Sequence, residues 1–275
     1  VDEHLAGYCS LIHVVLEKDG SCTVEDNGRG IPVDMHAKGV SAERLVFTTL
    51  HAGGKFDNSA YKTSGGLHGV GSSVVNALST YLDIKISRDG YVHHDHYERG
   101  IPTIELEEGL LPRLGKTRQT GTCVNFLPDP EIFEKTRFSS TEVKSRLHET
   151  AYLNPNLTIH FMDLRGDTPE DITYHAIWSN QCIELWFLLH FSYMHSDLHR
   201  SEYWPKLSAY LCSLGKGEYS KNRQDMYEIL HPMMDYAIAN AKRLDTENED
   251  KLPSQSAPGT KVYELVEALK PYLSE

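Results

Sequence analysis

The sequence predicts an α+β fold: a two-layer α/β sandwich on a mixed sheet, followed by a small, mainly helical unit. Strand-like segments alternate with glycine-rich segments up to residue 175, whereas apolar residues beyond it recur at helical spacing. The residue types change at the same place, since 17 of the 20 glycines lie in residues 1–175 and all three tryptophans lie beyond. We therefore predict one domain in residues 1–175 and a second in residues 176–275.

The individual elements follow from local patterns. Period-2 alternation and turn residues predict strands at 11–17, 21–25, 81–87, 91–99, 122–127 and 158–163. Helical spacing predicts helices at 41–51, 72–79 and 140–153, then at 183–191, 200–214, 225–244 and 262–273, with a loop at 245–259. Short turns between neighbouring strands indicate a mostly antiparallel sheet with helices on one face.

Composition excludes some classes of protein. The 275 residues carry a net charge of −12, which argues against a surface that holds nucleic acid by bulk charge alone. No apolar run of about 18 residues and no signal peptide is visible, so we expect no membrane partner. Five scattered cysteines without a zinc spacing fit a reducing cytoplasm. The first residue is Val1 rather than Met, which is compatible with a fragment of a longer chain.

Three glycine-rich segments carry the functional signal. Residues 25–32 read Glu-Asp-Asn-Gly-Arg-Gly-Ile-Pro, a tight turn with a carboxylate at its start that can orient the exocyclic amine of a base. Residues 51–56 place Lys55 after two glycines, which suits phosphate. Residues 64–73 are rich in glycine and lead into a predicted helix, a pattern that favours an anion site. Each segment alone is also compatible with a plain surface turn or loop.

The three segments in this order resemble the GHKL (Bergerat-fold) ATPases. The resemblance is strongest to the ATPase domains of DNA gyrase B and of its counterpart in topoisomerase IV. It rests on residues 2–8, 26–32, 51–56, 61–76, 120–122 and 128–133, and it extends to residue 175. Residues 179–191 instead resemble RloB-like proteins of bacterial defence and restriction loci, and residues 221–222, 225–230 and 237–242 agree with that pattern. Residues 176–275 therefore resemble the C-terminal half of such a protein.

The resemblance implies ATP as ligand and assigns roles to individual residues. Asp26 would accept the adenine amino proton, Thr122 would support the base, and the glycine-rich run would wrap the phosphates. The implied ATP-binding set is Glu3, Asp26, Arg29, Gly30, Ile31, Pro32, Lys55, Tyr61, Gly66, Leu67, His68, Gly69, Val70, Gly71, Ser73 and Thr122. Arg88 would lie at the pocket mouth, where aminocoumarin inhibitors bind in the family.

Other family features have no counterpart in the sequence. The family's Glu-x-x-x-Asn motif, which supplies the general base and the Mg²⁺ ligand, would precede Val1, so we assign no catalytic or metal-binding residue and expect slow ATP hydrolysis. In the family the partners are DNA and the gyrase A-type subunit. Members dimerise through an N-terminal arm that has no match here, so we do not expect this fragment to dimerise.

The sequence therefore predicts the ATP-binding portion of an ATP-dependent type II DNA topoisomerase, an isomerase that changes DNA topology. A non-hydrolysing nucleotide-binding fusion or defence protein with an RloB-like tail is the alternative. A histidine kinase or a mismatch-repair ATPase is disfavoured by the Gly-Gly-Lys-Phe and Gly-Gly-Leu-His-Gly-Val-Gly runs. The sequence leaves open whether the relative is gyrase or topoisomerase IV.

Overall fold

The computed structural model describes residues 1–36, 40–50, 70–249, 251 and 255–272. These residues form two compact units, Val1–Ala176 and Ile177–Glu275. Each unit buries its own apolar residues.

A mixed sheet with helices forms the first unit. Its strands are β1 (Leu11–Leu16), β2 (Cys22–Asp26), β3 (Ser79–Arg88), β4 (Tyr91–Glu98), β5 (Ile101–Pro102), β6 (Arg113–Lys116), β7 (Gly121–Pro128), β8 (Thr158–Asp163) and β9 (Glu170–His175). Its helices are α1 (Asp2–Leu5), α2 (Ala42–Thr48), α3 (Gly71–Ala77) and α4 (Ser140–Leu153).

The strand order is β5-β4-β3-β7-β2-β1-β8-β9, with β6 also paired to β4. β1 and β8 run parallel, while the other pairings between the described strands are antiparallel. One apolar row crosses five strands in register, from Ile84 through Val124, Val24 and Val14 to Phe161. Side chains alternate between the two faces of a strand, so this row defines the inner face of the sheet.

Helices cover the inner face of the sheet in two places. Phe47 of α2 packs with Leu82, Ile84 and Ile86 of β3, and Val75 of α3 joins them. In the second place on the same face, α4 packs Ala151 and its neighbours against the apolar residues of β1 and β8. The predicted two-layer α/β sandwich with a mostly antiparallel sheet is confirmed.

The second unit is mainly helical, as predicted. It contains β10 (Ser179–Asn180), α5 (Glu184–Leu189), α6 (Arg200–Ser213), α7 (Met226–Leu230), α8 (Met234–Glu247), β11 (Gly259–Thr260) and α9 (Val262–Leu269). Buried residues of these helices form its core, to which α6 contributes Tyr203, Leu207 and Leu211 at helical spacing. β10 and β11 pair into a two-residue antiparallel ribbon.

In the first unit, the helix predicted at 41–51 ends at Thr48. In the second unit three predictions were wrong, and proline explains two of them. The helix predicted at 225–244 is interrupted by a 3₁₀ turn at His231–Met233, because Pro232 has no backbone N–H to donate. The helix predicted to continue to residue 273 ends at Leu269 and gives way to a 3₁₀ turn that contains Pro271. The loop predicted from residue 245 starts later, because α8 continues to Glu247.

Candidate nucleotide site

Asp26 is the last residue of β2, and strand alternation directs its side chain to the inner face of the sheet. It pairs with Thr122 of β7 on one side and with Ile12 of β1 on the other. Burial raises the pKa of the Asp26 carboxyl group, and the N–H of Gly28, which donates to Oδ1 over 2.7 Å, partly offsets that rise. The result is a partly buried hydrogen-bond acceptor, which suits an amine donor.

Two glycines of the turn that follows Asp26 make close approaches, and Gly30 is required by its backbone. A Cβ atom on Gly28 would lie 2.7 Å from Asp26 Oδ1 and 3.0 Å from Cγ of Glu3. Gly30 has φ +78°, and a Cβ atom there would lie 2.8 Å from the carbonyl oxygen of Ser87. These close approaches let the turn fold back against β3 without displacing the neighbouring strand.

Arg29 lies between a carboxylate and an aromatic ring. Its Nε and Nη2 donate to the two oxygens of Glu3 over 3.1 and 2.8 Å, and its backbone N–H donates to Glu3 over 3.0 Å. The guanidinium also lies 3.8 Å from the centre of the Tyr8 ring. The pairing of Arg29 with Glu3 ties the turn to the segment that precedes β1.

Two further contacts complete the turn. The backbone N–H of Ile31 donates to the buried Thr122 hydroxyl over 3.2 Å, and the Ile31 side chain packs against the cluster over β3. Arg88, at the end of β3, donates from Nη1 to the carbonyl oxygen of Gly30 over 2.6 Å. Pro32 is exposed beside them. The structure therefore brings together Glu3, Asp26, Arg29, Gly30, Ile31, Pro32, Arg88 and Thr122.

Three other predicted residues lie at the start of α3, which begins directly after the glycine-rich run. Val70 precedes the helix, Gly71 is its first residue, and Ser73 is buried with its hydroxyl donating to the Val70 carbonyl over 3.0 Å. The remaining predicted residues lie outside the described part of the chain: Lys55, Tyr61, Gly66, Leu67, His68 and Gly69.

The sequence interpretation gave no role to two residues that hold the site. Asn27 was interpreted only as part of the turn, although its side chain bonds the start of β1. Tyr8 contributed to the resemblance without a role, and the structure places its ring against Arg29. The polar side chain of Asn27 directly after Asp26 could have indicated a hydrogen-bonding role, whereas nothing in the local pattern points to Tyr8.

An apolar cavity of ≈ 230 Å³ lies elsewhere in the first unit, between α3, Phe126 and the segment around Phe133 and Phe138. It contains none of the predicted nucleotide-contacting residues, so it does not bear on the site. Across the described ranges, no three His, Cys, Asp or Glu side chains converge as metal ligands. Nor does the described part of the chain contain a helix with the length and apolar character needed to span a membrane.

Two family models match different parts of the chain. Residues 1–132 match the model of histidine kinase-, DNA gyrase B-, and HSP90-like ATPases, and residues 134–269 match that of RloB-like proteins. The second match starts inside the first compact unit, before the boundary at Ala176.

Individual relatives point to the same ATPases. The chain is 54% identical over 164 residues to DNA gyrase B of Thermotoga maritima, covering 59% of this chain and 25% of the relative. It is 52% identical over 175 residues to DNA gyrase B of Archaeoglobus fulgidus, covering 64% and 27%. The chain therefore spans about a quarter of the length of the curated relatives it matches.

A solved structure agrees with the sequence relatives. The 43K ATPase domain of Thermus thermophilus gyrase B, crystallised in complex with an aminocoumarin, is 40% identical with a TM-score of 0.53, and the match covers 64% of this chain and 42% of that one. The resemblances inferred from the sequence motifs are thus confirmed. Residues 1–132 carry the sequence signature and the fold of the histidine kinase-, DNA gyrase B-, and HSP90-like ATPases, and residues 134–269 carry the signature of the RloB-like proteins.

Proposed function

We propose that residues 1–175 bind ATP with the adenine ring over Asp26. The observation that carries the proposal is the partly buried Asp26 carboxyl group at the end of β2, next to the Thr122 hydroxyl and before a turn held by hydrogen bonds along its length. A partly buried acceptor favours a ligand that brings its own N–H donor, because a bound ligand displaces the remaining water from the carboxyl group and must replace its hydrogen bonds. The exocyclic amine of adenine is such a donor.

The surrounding residues define the rest of the base site. Ile31 and Pro32 supply apolar surface for the flat ring, and Arg29, held by Glu3 and Tyr8, covers one side. Arg88 at the mouth would contact an aminocoumarin, the class of compound bound in the related Thermus thermophilus structure.

In this proposal the glycine-rich run and its flanking residues bind the phosphates. Lys55 and Tyr61 would reach the phosphates or the edge of the base, and backbone N–H groups of Gly66, Leu67, His68, Gly69, Val70 and Gly71 would surround the phosphates. Mg²⁺ would accompany the triphosphate and neutralise part of its charge.

For the whole protein, we propose an ATP-dependent type II DNA topoisomerase that acts on DNA with a gyrase A-type subunit. The gyrase B relatives support this function over the alternative of a nucleotide-binding defence protein. Residues 176–275 form a separate helical domain in this proposal.

Calorimetric titration of the full chain with a non-hydrolysable ATP analogue tests the adenine site. Asp26→Ala removes a charged hydrogen-bond partner worth about 1.5–3 kcal/mol, so we expect affinity to fall by about tenfold to more than a hundredfold. Asp83→Asn is the matched control, because Asp83 lies in the same sheet on β3 and bonds only to His94 and His96 among the described side chains. Equal affinity of the Asp26→Ala variant and the unchanged chain would exclude the adenine role.

A further inference from the structure

Asn27 is fixed by four hydrogen bonds where β1 and the turn meet. Its Oδ1 accepts from the backbone N–H of Ser10 over 2.9 Å and from that of Leu11 over 3.0 Å. Its Nδ2 donates to the Ser10 hydroxyl over 3.0 Å, and its own backbone N–H donates to the Leu11 carbonyl over 3.2 Å. The side chain therefore bonds the backbone at the start of β1 as a neighbouring strand would.

This position matters because it lies between Asp26 and Gly28. Asp26 is the last residue of β2 in register with β1, where it pairs with Ile12. The chain must then turn sharply so that the N–H of Gly28 reaches back to Asp26 Oδ1 over 2.7 Å. Because residue 27 is fixed to Ser10 and Leu11, the turn has fewer conformations open to it, and we expect the Asp26 carboxyl group to keep the orientation that Gly28 bonds.

We propose that Asn27 is a positioning residue that sets the selectivity of the site for adenine over guanine. The inference rests on the proposed function. In adenine the six-position carries an amine, which donates to a carboxylate, whereas in guanine the same position carries a carbonyl oxygen, which an ionised carboxylate repels. Selectivity at that position therefore depends on the orientation of the Asp26 carboxyl group. Asn27 acts on that orientation without contacting the base.

The ratio of the affinities for non-hydrolysable ATP and GTP analogues measures this role in the full chain. We expect Asn27→Leu, which keeps the side-chain size but not the bonds, to lower the ATP-to-GTP affinity ratio about tenfold, since three solvent-exposed side-chain hydrogen bonds are lost. Asn27→Asp should keep the ratio nearer that of the unchanged chain than Asn27→Leu does, because a carboxylate also accepts from both backbone N–H groups. Asn27→Ala should behave as Asn27→Leu and serves if the larger side chain prevents folding.

Two controls separate positioning from a general loss of stability. Asn125 also joins two strands, with Nδ2 donating to the Ser21 and Thr23 hydroxyls over 3.0 and 2.9 Å, so Asn125→Leu should lower stability but leave the ratio unchanged. In an Asp26→Ala background, Asn27→Leu should change nothing further, because the two residues act through one carboxyl group.

The outcomes are distinguishable. If the unchanged chain binds neither analogue, or Asp26→Ala leaves the ratio intact, the proposed adenine site fails and this inference fails with it. If Asp26→Ala abolishes the preference for ATP but Asn27→Leu preserves it, the proposed function stands and the positioning role of Asn27 is overturned.

Discussion

Glu43 makes the stability of the first unit depend on pH in an unusual direction. It lies on α2 with no exposed surface, and its Oε1 accepts from the Tyr97 hydroxyl over 2.7 Å. Nearby Asp95, itself fully buried, forms a bidentate ion pair with Arg44. Burial first, and then the Asp95 charge, raises the pKa of Glu43 from 4.5 to about 8, while the Tyr97 hydroxyl lowers it.

The sign of the effect follows from proton binding. Between the pKa of Glu43 in the unfolded chain and its raised pKa in the folded chain, the native state binds one more proton than the unfolded state. The stability that neutral Glu43 contributes is therefore fully present below the unfolded pKa and is lost as pH rises through the folded pKa. One pKa unit corresponds to about 1.4 kcal/mol, so the free energy of unfolding should fall by about 3 kcal/mol from pH 5.5 to pH 7.5 on account of this residue alone.

Glu43→Gln isolates the effect, because the amide stays neutral and its oxygen can still accept from Tyr97. Tryptophan fluorescence cannot report on this unit, since all three tryptophans lie beyond residue 175. Hydrogen exchange of peptides that cover α2 and β4, measured against urea, gives the free energy of opening directly. As pH rises, the free energy of opening of the unchanged chain should fall relative to that of Glu43→Gln. Parallel profiles for the two proteins would refute a neutral Glu43 in the native state.

Two further predictions concern packing in the two units. Gly30→Ala should destabilise the first unit by more than about 2 kcal/mol, because it combines strain at φ +78° with a clash against the Ser87 carbonyl, and urea unfolding followed by circular dichroism measures it. Gly90→Ala, with φ +82° but open space around its Cβ, should cost about 1–2 kcal/mol, and equal losses would contradict the clash. In the second unit, fully buried Leu211→Ala should cost about 2–5 kcal/mol by tryptophan fluorescence, whereas Leu214→Ala at 49% exposure should stay within about 0.5 kcal/mol. A small loss for Leu211→Ala would mean that the core of α6 is not packed as described.

The sequence predicted most of the sheet because its central strands have strong local patterns. Residues 81–87 alternate apolar and polar types between two turns, and β3 occupies them. β9 was missed because four of its six residues are charged or polar and exposed, so its local signal is weak. The β10–β11 ribbon joins residues about 80 positions apart, and no window of sequence contains both strands.

The site shows the same division between local and distant information. Glycine spacing was enough to predict a tight turn after Asp26, since close backbone approach is a property of the residue type. What fixes the turn comes from elsewhere in the chain: Glu3 and Ser10 from before β2, Arg88 from the end of β3, and Thr122 from β7. These contacts span up to 91 residues, so only the folded chain reveals them.

This distribution of contacts has a consequence for nucleotide binding. Because the turn is held from β1, β3 and β7 at once, its geometry is set before any ligand arrives, and little ordering entropy is lost on binding the base. The same arrangement couples affinity to the pairing of those strands, since a change that loosens any one of them frees one residue of the turn. A substitution that touches the turn without contacting the base, such as one at Asn27, should therefore weaken binding mainly by lowering the fraction of molecules in which Asp26 is correctly placed.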